Sequence, residues 1–318
     1  MSITINRRDF TAMLLATGTT ARYRRPVSTP DSAAAMPHAT ININMFSKGL
    51  EWMDYDALTD TLVAAGFNGI DLTVRGGGHV LPENVERDLP KIVEIAKAKG
   101  LAIPMMVTSI VDPGNPMTER ILKTASQAGI KHYRMGYLSY DPKLSIQETF
   151  QKHKSTLQRL ADLNHTYGIQ AGYQNHQGTN LGASVWDIWY LVQELDNRLV
   201  SLQYDTAHAQ AEGVNSWANT LRVVSPQIGS LPLKDYKWEV VDGRLRTKYA
   251  PIGEGMVNFK TFFQRIKEAN LVRPFSLHFE YPLLNEADKD LSVTEKMKKI
   301  IPVLNRDVRK IQELWQQS

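Results

Sequence analysis

The sequence predicts an α/β fold, a (β/α)8 TIM barrel, and three observations predict it. From residue 39 onward, eight short apolar or β-branched runs alternate with polar stretches of helical period. Glycine stands between several helical stretches and the next apolar run, at Gly66, Gly100, Gly129 and Gly168, where helix C-caps form. The apolar runs end in residues that carry chemistry, and a barrel gathers its functional groups at the C-terminal ends of its strands. Strand, helix and strand repeated implies parallel pairing with right-handed crossovers. A doubly wound open sheet is the alternative, but its Gly-rich phosphate turn is missing after Ser47.

Taken in order, the first strand is expected at 39–47 (ATININMFS) and the second at 69–74 (GIDLTV). The second leads into a Gly-rich loop that carries Arg75 and His79 around Gly76, Gly77 and Gly78. A helix over 83–100 precedes the third strand, 102–110, and the fourth, 132–137, contains Arg134. A long helical stretch, 148–168, leads to the fifth strand, 170–176, which ends in Gln174, Asn175 and His176. The sixth, 200–205, ends in Asp205, with His208 three residues on. The seventh, 229–235, ends in Lys234 and Asp235, and the eighth, 274–280, in His278 and Glu280. Side chains alternate along a strand, so Gln174 shares a face with His176, Pro232 with Lys234, and His278 with Glu280. Pointed inward, these faces converge on one mouth.

Composition is that of a globular chain, 42% hydrophobic and 22% charged. No run is long and apolar enough for a transmembrane helix, so no membrane insertion is expected. The net charge of +4 owes much to Arg7, Arg8, Arg22, Arg24 and Arg25. Without them the chain is near neutral, and no nucleic-acid partner is implied. Cysteine is absent, which excludes disulfides, thiolate metal sites and cysteine nucleophiles. Residues 1–38 are read as a leader outside the fold. A twin arginine before a modest apolar run resembles a Tat export signal and points to a periplasmic location; a disordered basic tail on a cytoplasmic protein is the alternative. Residues 39–318 are then a single barrel domain.

The strand-end motifs YDTAHA (204–209), LKDY (233–236), PIGEG (251–255) and HFEY (278–281), with the QNH triplet before them, resemble the xylose isomerase-like TIM-barrel superfamily of sugar phosphate isomerases and epimerases. The resemblance covers nearly all of residues 39–318. In its epimerase members a divalent metal is held by Glu, Asp, His and Glu at the fifth to eighth strands, and the two Glu residues shuttle a proton beside the sugar carbonyl. By position, Asp205 matches the Asp and Glu280 the last Glu, while His208 matches a substrate-contacting His. Gln174 stands where the first Glu is expected, and Pro232 where the His is expected. A neutral amide is a poor partner for a cation and cannot act as a base. The resemblance therefore implies a variant site.

The chemistry expected is proton transfer beside a carbonyl on a carbohydrate or polyol: isomerisation, epimerisation or β-elimination, the last making the chain a keto-sugar lyase. Glu280 is the candidate base. Lys234 is a candidate acid, or a fixed positive charge in place of a metal, or the partner of Asp235 in a structural ion pair. His208 completes the catalytic candidates. Gln174, His176, Arg75, His79, Arg134 and His278 are candidate substrate contacts. One divalent metal, Mn2+, Mg2+ or Zn2+, is admitted on Asp205 and Glu280 with His176 or His208. Trp52, Trp186, Trp217 and Trp238 offer faces for sugar stacking, and Asp235 is expected to be structural. The expected partner is a small carbohydrate. A non-catalytic sugar-binding barrel competes with the enzyme reading. An endonuclease IV-like phosphodiesterase is disfavoured, because its metal cluster needs more strand-end His and acidic ligands.

Overall fold

The computed structural model describes residues 41–318. The twin-arginine leader lies outside the described residues. Eight parallel strands close into a barrel: β1 (Ile43–Phe46), β2 (Gly69–Thr73), β3 (Ala102–Val107), β4 (His132–Arg134), β5 (Gln170–Gln174), β6 (Val200–Gln203), β7 (Ile228–Leu233) and, last, β10 (Phe275–Leu277). Sequential neighbours pair around the ring, and β10 closes it between β7 and β1. Eight of the crossover and flanking helices are α1 (Tyr55–Ala65), α2 (Val85–Ala98), α3 (Pro116–Gln127), α4 (Ile146–Tyr167), α5 (Val185–Val192), α6 (Thr206–Glu212), α7 (Trp217–Val224) and α8 (Phe259–Glu268). The chain finishes on α9 (Val293–Gln316).

Local chemistry sets the element ends. Ser145 and Glu148 form a capping box on α4, as Ser292 and Glu295 do on α9. Each satisfies two backbone or side-chain donors that a helix start leaves unpaired. Gly66 and Gly168 close α1 and α4 at φ of 86° and 60°, a conformation that costs a residue with a Cβ. The strands carry buried apolar residues on both faces, because helices cover the outside and side chains fill the inside. Ile43, Met45, Ile70, Leu72, Leu231 and Leu277 are all but sealed from solvent.

Two expectations are corrected here. Strands four and eight are shorter than anticipated and stop at Arg134 and Leu277. Two further backbone bonds follow β4, Met135 N–H to Gly172 O at 3.0 Å and Gly136 N–H to Ile110 O at 2.8 Å, and one follows β10, His278 N–H to Leu233 O at 2.9 Å. Beyond it the chain leaves the ladder, so Glu280 sits on a loop over the mouth. The second correction is an unanticipated antiparallel hairpin after β7, of β8 (Asp235–Val241) and β9 (Arg244–Ala250). Its turn, Asp242-Gly243, has φ of 50° and 71°. That is the two-residue turn that matches strand twist, and Asp-Gly between alternating residues is its sequence signal. Asp235 anchors the hairpin base as expected of a structural residue: its carboxylate accepts from the amides of Gly253, Gly255 and Val257 at 2.9 to 3.0 Å. A side chain at Gly255 would collide with that carboxylate.

Candidate active site

The three polar residues that end β5 have different tasks. Gln174 is buried, and its Oε1 accepts from Arg134 Nη1 at 2.8 Å and from the Tyr137 hydroxyl at 2.7 Å. Its Nε2 then donates to Asp205 Oδ2 at 2.8 Å, which fixes the orientation of the amide. Asn175 staples β5 to the end of β6: its side chain donates to Asp205 O at 3.1 Å and accepts from Asp205 N–H at 2.8 Å. His176 is half-buried, with its ring 3.9 Å from that of His208 and 5.3 Å from that of Tyr137. Its Nδ1 lies 2.8 Å from Gln177 O, and burial holds its pKa below the ordinary value.

Asp205 is the N-cap of α6. Oδ1 accepts from the amides of Ala207 and His208, each at 3.1 Å. Oδ2 accepts from Gln174 and meets Lys234 Nζ at 3.1 Å. Lys234 follows β7 directly, and its side chain is 2% exposed. Its ammonium lies 2.7 Å from His208 Nε2, 3.9 Å from Glu280 Oε1 and 5.1 Å from the centroid of the Tyr249 ring. An ammonium only donates, so His208 Nε2 is the acceptor and the imidazole proton is on Nδ1. Burial, and then the nearby Lys234 charge, push the His208 pKa well below the ordinary value, so the ring is neutral. Its Nδ1 has no hydrogen-bond partner among the described residues.

Glu280 is the more open partner, with 18% of its side chain exposed, and its Oε2 meets Lys48 Nζ at 3.0 Å. Arg75 and Arg134 flank Phe46, each with Cζ 5.8 Å from the ring centroid. Arg75 is half-buried, and burial together with the neighbouring Arg134 charge lowers its pKa.

Two expected substrate contacts are placed elsewhere. His79 has both ring nitrogens engaged by the protein, Nδ1 with Thr73 Oγ1 at 3.2 Å and Nε2 with Leu50 O at 3.0 Å. It pins the Gly-rich loop to the segment after β1 and offers a ligand nothing. His278 is buried in the barrel, 4.4 Å from the Phe46 ring, with Nε2 3.9 Å from Asp71 Oδ2. Burial pushes the pKa of His278 well down and that of Asp71 up to about 6.

The tryptophans are also placed away from the Lys234 cluster. Trp52 lies under the Lys296 ammonium, Trp186 is edge-on to Trp189, Trp217 is buried on α7, and Trp238 is edge-on to Tyr236. The aromatic groups at the mouth are instead Phe46, Tyr137 and Tyr249. Tyr137 and Lys48 stand at or just past expected strand ends without having been singled out there, and Tyr249 lies away from any expected strand end. The Asp242-Gly243 turn is the one signal for Tyr249, because it predicts a hairpin that folds back over the end of β7.

The donors expected for a divalent metal do not fit one here. Among the described residues no group of three or more His, Asp or Glu is placed to hold a metal ion. Both Asp205 oxygens are engaged, Gln174 Oε1 faces Arg134 and Tyr137, and His208 Nε2 faces an ammonium. Pro232 pairs with Ser276 in the barrel ladder and has no donor to offer.

The family model for the xylose isomerase-like TIM barrel matches residues 59–297, and the chain belongs to that family. Among solved structures it is similar to the IOLI protein with a binding zinc atom, at 15% identity and a TM-score of 0.65, over 85% of this chain and 99% of that one. It is also similar to 3-keto-D-glucoside 4-epimerase YcjR from E. coli, at 13% identity and a TM-score of 0.60, over 83% and 98%. A third is the probable 3-DHS dehydratase AsbF of Bacillus anthracis, at 16% identity and a TM-score of 0.61, over 81% and 98%. At these identities the likeness is one of fold. No curated protein sequence matches the chain. Among the described residues no helix is long and apolar enough to cross a membrane.

Proposed function

We propose that this chain is a carbohydrate isomerase or epimerase that moves a proton on the carbon beside a carbonyl. One relationship carries the reading. The Glu280 carboxylate, open to the mouth, faces the sealed Lys234 ammonium at 3.9 Å, too far for a hydrogen bond between them. The ammonium donates to His208 at 2.7 Å and is ion-paired with Asp205 at 3.1 Å, which leaves a third N–H for a substrate oxygen.

A carbonyl oxygen on that third N–H lies beside a fixed positive charge in a poorly hydrated site. The developing enediolate is stabilised there without reorganisation. Glu280 removes the adjacent proton and returns it to the neighbouring carbon, which is isomerisation; a proton delivered to the opposite face of the first carbon by a second donor at the mouth is epimerisation. With a leaving group on the next carbon, the same first step ends in elimination. Arg75, Arg134, Tyr137 and His176 surround the cluster as hydroxyl contacts, and Gln174 holds Arg134 and Asp205 in register. That one solved structure of similar fold is a 3-keto-D-glucoside 4-epimerase supports a sugar carbonyl as the reacting group.

The test is solvent exchange. Ketoses, aldoses and keto-glycosides are incubated with the protein in D2O, and proton loss beside the carbonyl is followed by NMR. Exchange that disappears in Glu280→Gln is the expected result. Calorimetric sugar binding with no exchange from any of them would overturn the proposal in favour of a non-catalytic sugar-binding barrel.

A further inference from the structure

We propose that Lys234 is the built-in cation of this site: its ammonium fills the point at which Asp205, His208 and Glu280 meet, and the chain works without a resident metal ion there. The inference rests on the proton-transfer reading for its catalytic meaning, but its geometry stands apart from that reading.

The Lys234 side chain reaches a point 3.1 Å from Asp205 Oδ2, 2.7 Å from His208 Nε2 and 3.9 Å from Glu280 Oε1. These three atoms are oxygen and imidazole donors of the kind that hold divalent cations. A lysine serving only as an ion-pair partner for Asp205 has no need of the other two. The Tyr249 ring covers the same ammonium with its centroid at 5.1 Å, a cation–π contact that adds a further group directed at one positive charge. The fit extends to the neighbours. Gln174 brings an amide N–H, not a lone pair, to the Asp205 oxygen that Lys234 uses. This choice is compatible with one positive charge beside Asp205 and not with a ligand shell. Two carboxylates and one ammonium leave the cluster at a net charge of −1, and a covalently tethered charge cannot be lost by dissociation.

The consequence for chemistry is specific. An ammonium stabilises an oxyanion by one hydrogen bond and one unit of charge, in a direction set here by its hydrogen bond to His208 and its ion pair with Asp205. It also holds protons, so the group that stabilises the enediolate can protonate it. A proton passed from Lys234 Nζ to the oxyanion is regained from the hydroxyl when the carbonyl re-forms, and no co-reactant is needed.

Metal uptake tests this without any substrate. The full chain and Lys234→Ala are each equilibrated with Zn2+, Mn2+ and Mg2+, desalted, and measured by elemental mass spectrometry, with circular dichroism to confirm folding. Wild type is expected to carry only background metal. Lys234→Ala, which opens the space between the donors, is expected to rise to near-stoichiometric Zn2+ or Mn2+, and Asp205→Asn in that background is expected to remove it. Stoichiometric metal on wild type that Asp205→Asn or Glu280→Gln abolishes overturns the proposal. So does a folded Lys234→Ala that takes up no more metal than wild type. Lys234→Ser, equally short and neutral, replaces the alanine variant if that one unfolds. Metal-free wild type that also exchanges no sugar proton leaves this inference standing and removes the proposed function, so the two fail separately.

Discussion

Gln174 donates to Asp205 Oδ2 at 2.8 Å, and the Lys234 ammonium is ion-paired with the same oxygen at 3.1 Å. The other oxygen caps α6. One carboxylate thus ties the end of β5, the end of β7 and the start of a helix into a single buried unit. Several consequences for stability and activity are measurable.

Removing the Asp205 charge leaves the Lys234 ammonium buried without its closest anion. Asp205→Asn keeps a side chain able to cap α6, so the loss measures the ion pair more than the cap. It is expected to cost about 3–5 kcal/mol of unfolding free energy. Adding Lys234→Met to it is expected to recover much of that loss. A double-mutant cycle by urea denaturation reads both effects, and strictly additive losses would contradict the coupling.

Gln174→Glu replaces the N–H that faces Asp205 with an oxygen. Two carboxylates then meet at hydrogen-bond distance, and the folded state favours a proton on one of them. The new acid has a raised folded pKa, so its penalty is absent below the unfolded value and grows as pH rises through the folded one. The variant is expected to match wild type near pH 4 and to melt well below it at pH 8, by differential scanning calorimetry. Equal melting at pH 8 would place the amide elsewhere.

Asp71 carries its own pH signature. Burial raises its carboxyl to about 6, and the Ser276 hydroxyl donates to it at 2.7 Å. With a folded pKa above the unfolded one, its contribution is fully present below about pH 4 and is lost as pH rises through about 6. A shift of roughly two units corresponds to about 3 kcal/mol. Asp71→Asn keeps the acceptor for Ser276 and removes the charge. Unfolding free energies from pH 4 to 8 are expected to show the variant gaining on wild type by up to about that amount. Parallel curves would mean that Asp71 is ionised throughout.

Glu280→Gln separates activity from stability. The residue is partly open, and its Lys48 partner is 49% exposed, so the pair is a surface one. Such pairs contribute about 0–1 kcal/mol. The variant is expected to lose proton exchange by at least about 100-fold, the usual scale for a general base, with the urea midpoint nearly unchanged. Lys48→Ala is expected to be active, because its cation is not the one facing the substrate oxygen.

Hydropathy and end chemistry were enough for the barrel, and end chemistry named the candidates for its mouth. The alternation of apolar runs with helical stretches carried the strand count. Gln174, Asp205, His208, Lys234 and Glu280 stand at or just past strand ends, and side-chain alternation gave Gln174 and Lys234 their inward faces. The resemblance made Gln174 and Pro232 visible as departures, yet left open what replaced them. Strand signals were less complete between β7 and β10, where the Asp242-Gly243 hairpin supplies Tyr249.

The tertiary structure decided which atoms meet. A one-dimensional pattern gives each residue a face but not a partner: His79 and His208 look alike as histidines near strand ends. Loop closure gives both nitrogens of His79 to Thr73 and Leu50, while α6 turns His208 Nε2 onto Lys234. His278 shares a face with Glu280, yet the chain leaves the ladder between them, so one is sealed under Phe46 and the other opens to the mouth. The choice between metal ligand and ion pair for Asp205 was of the same kind. It turns on distances of about 3 Å between residues far apart in the chain, and ring closure of the barrel is what sets those distances.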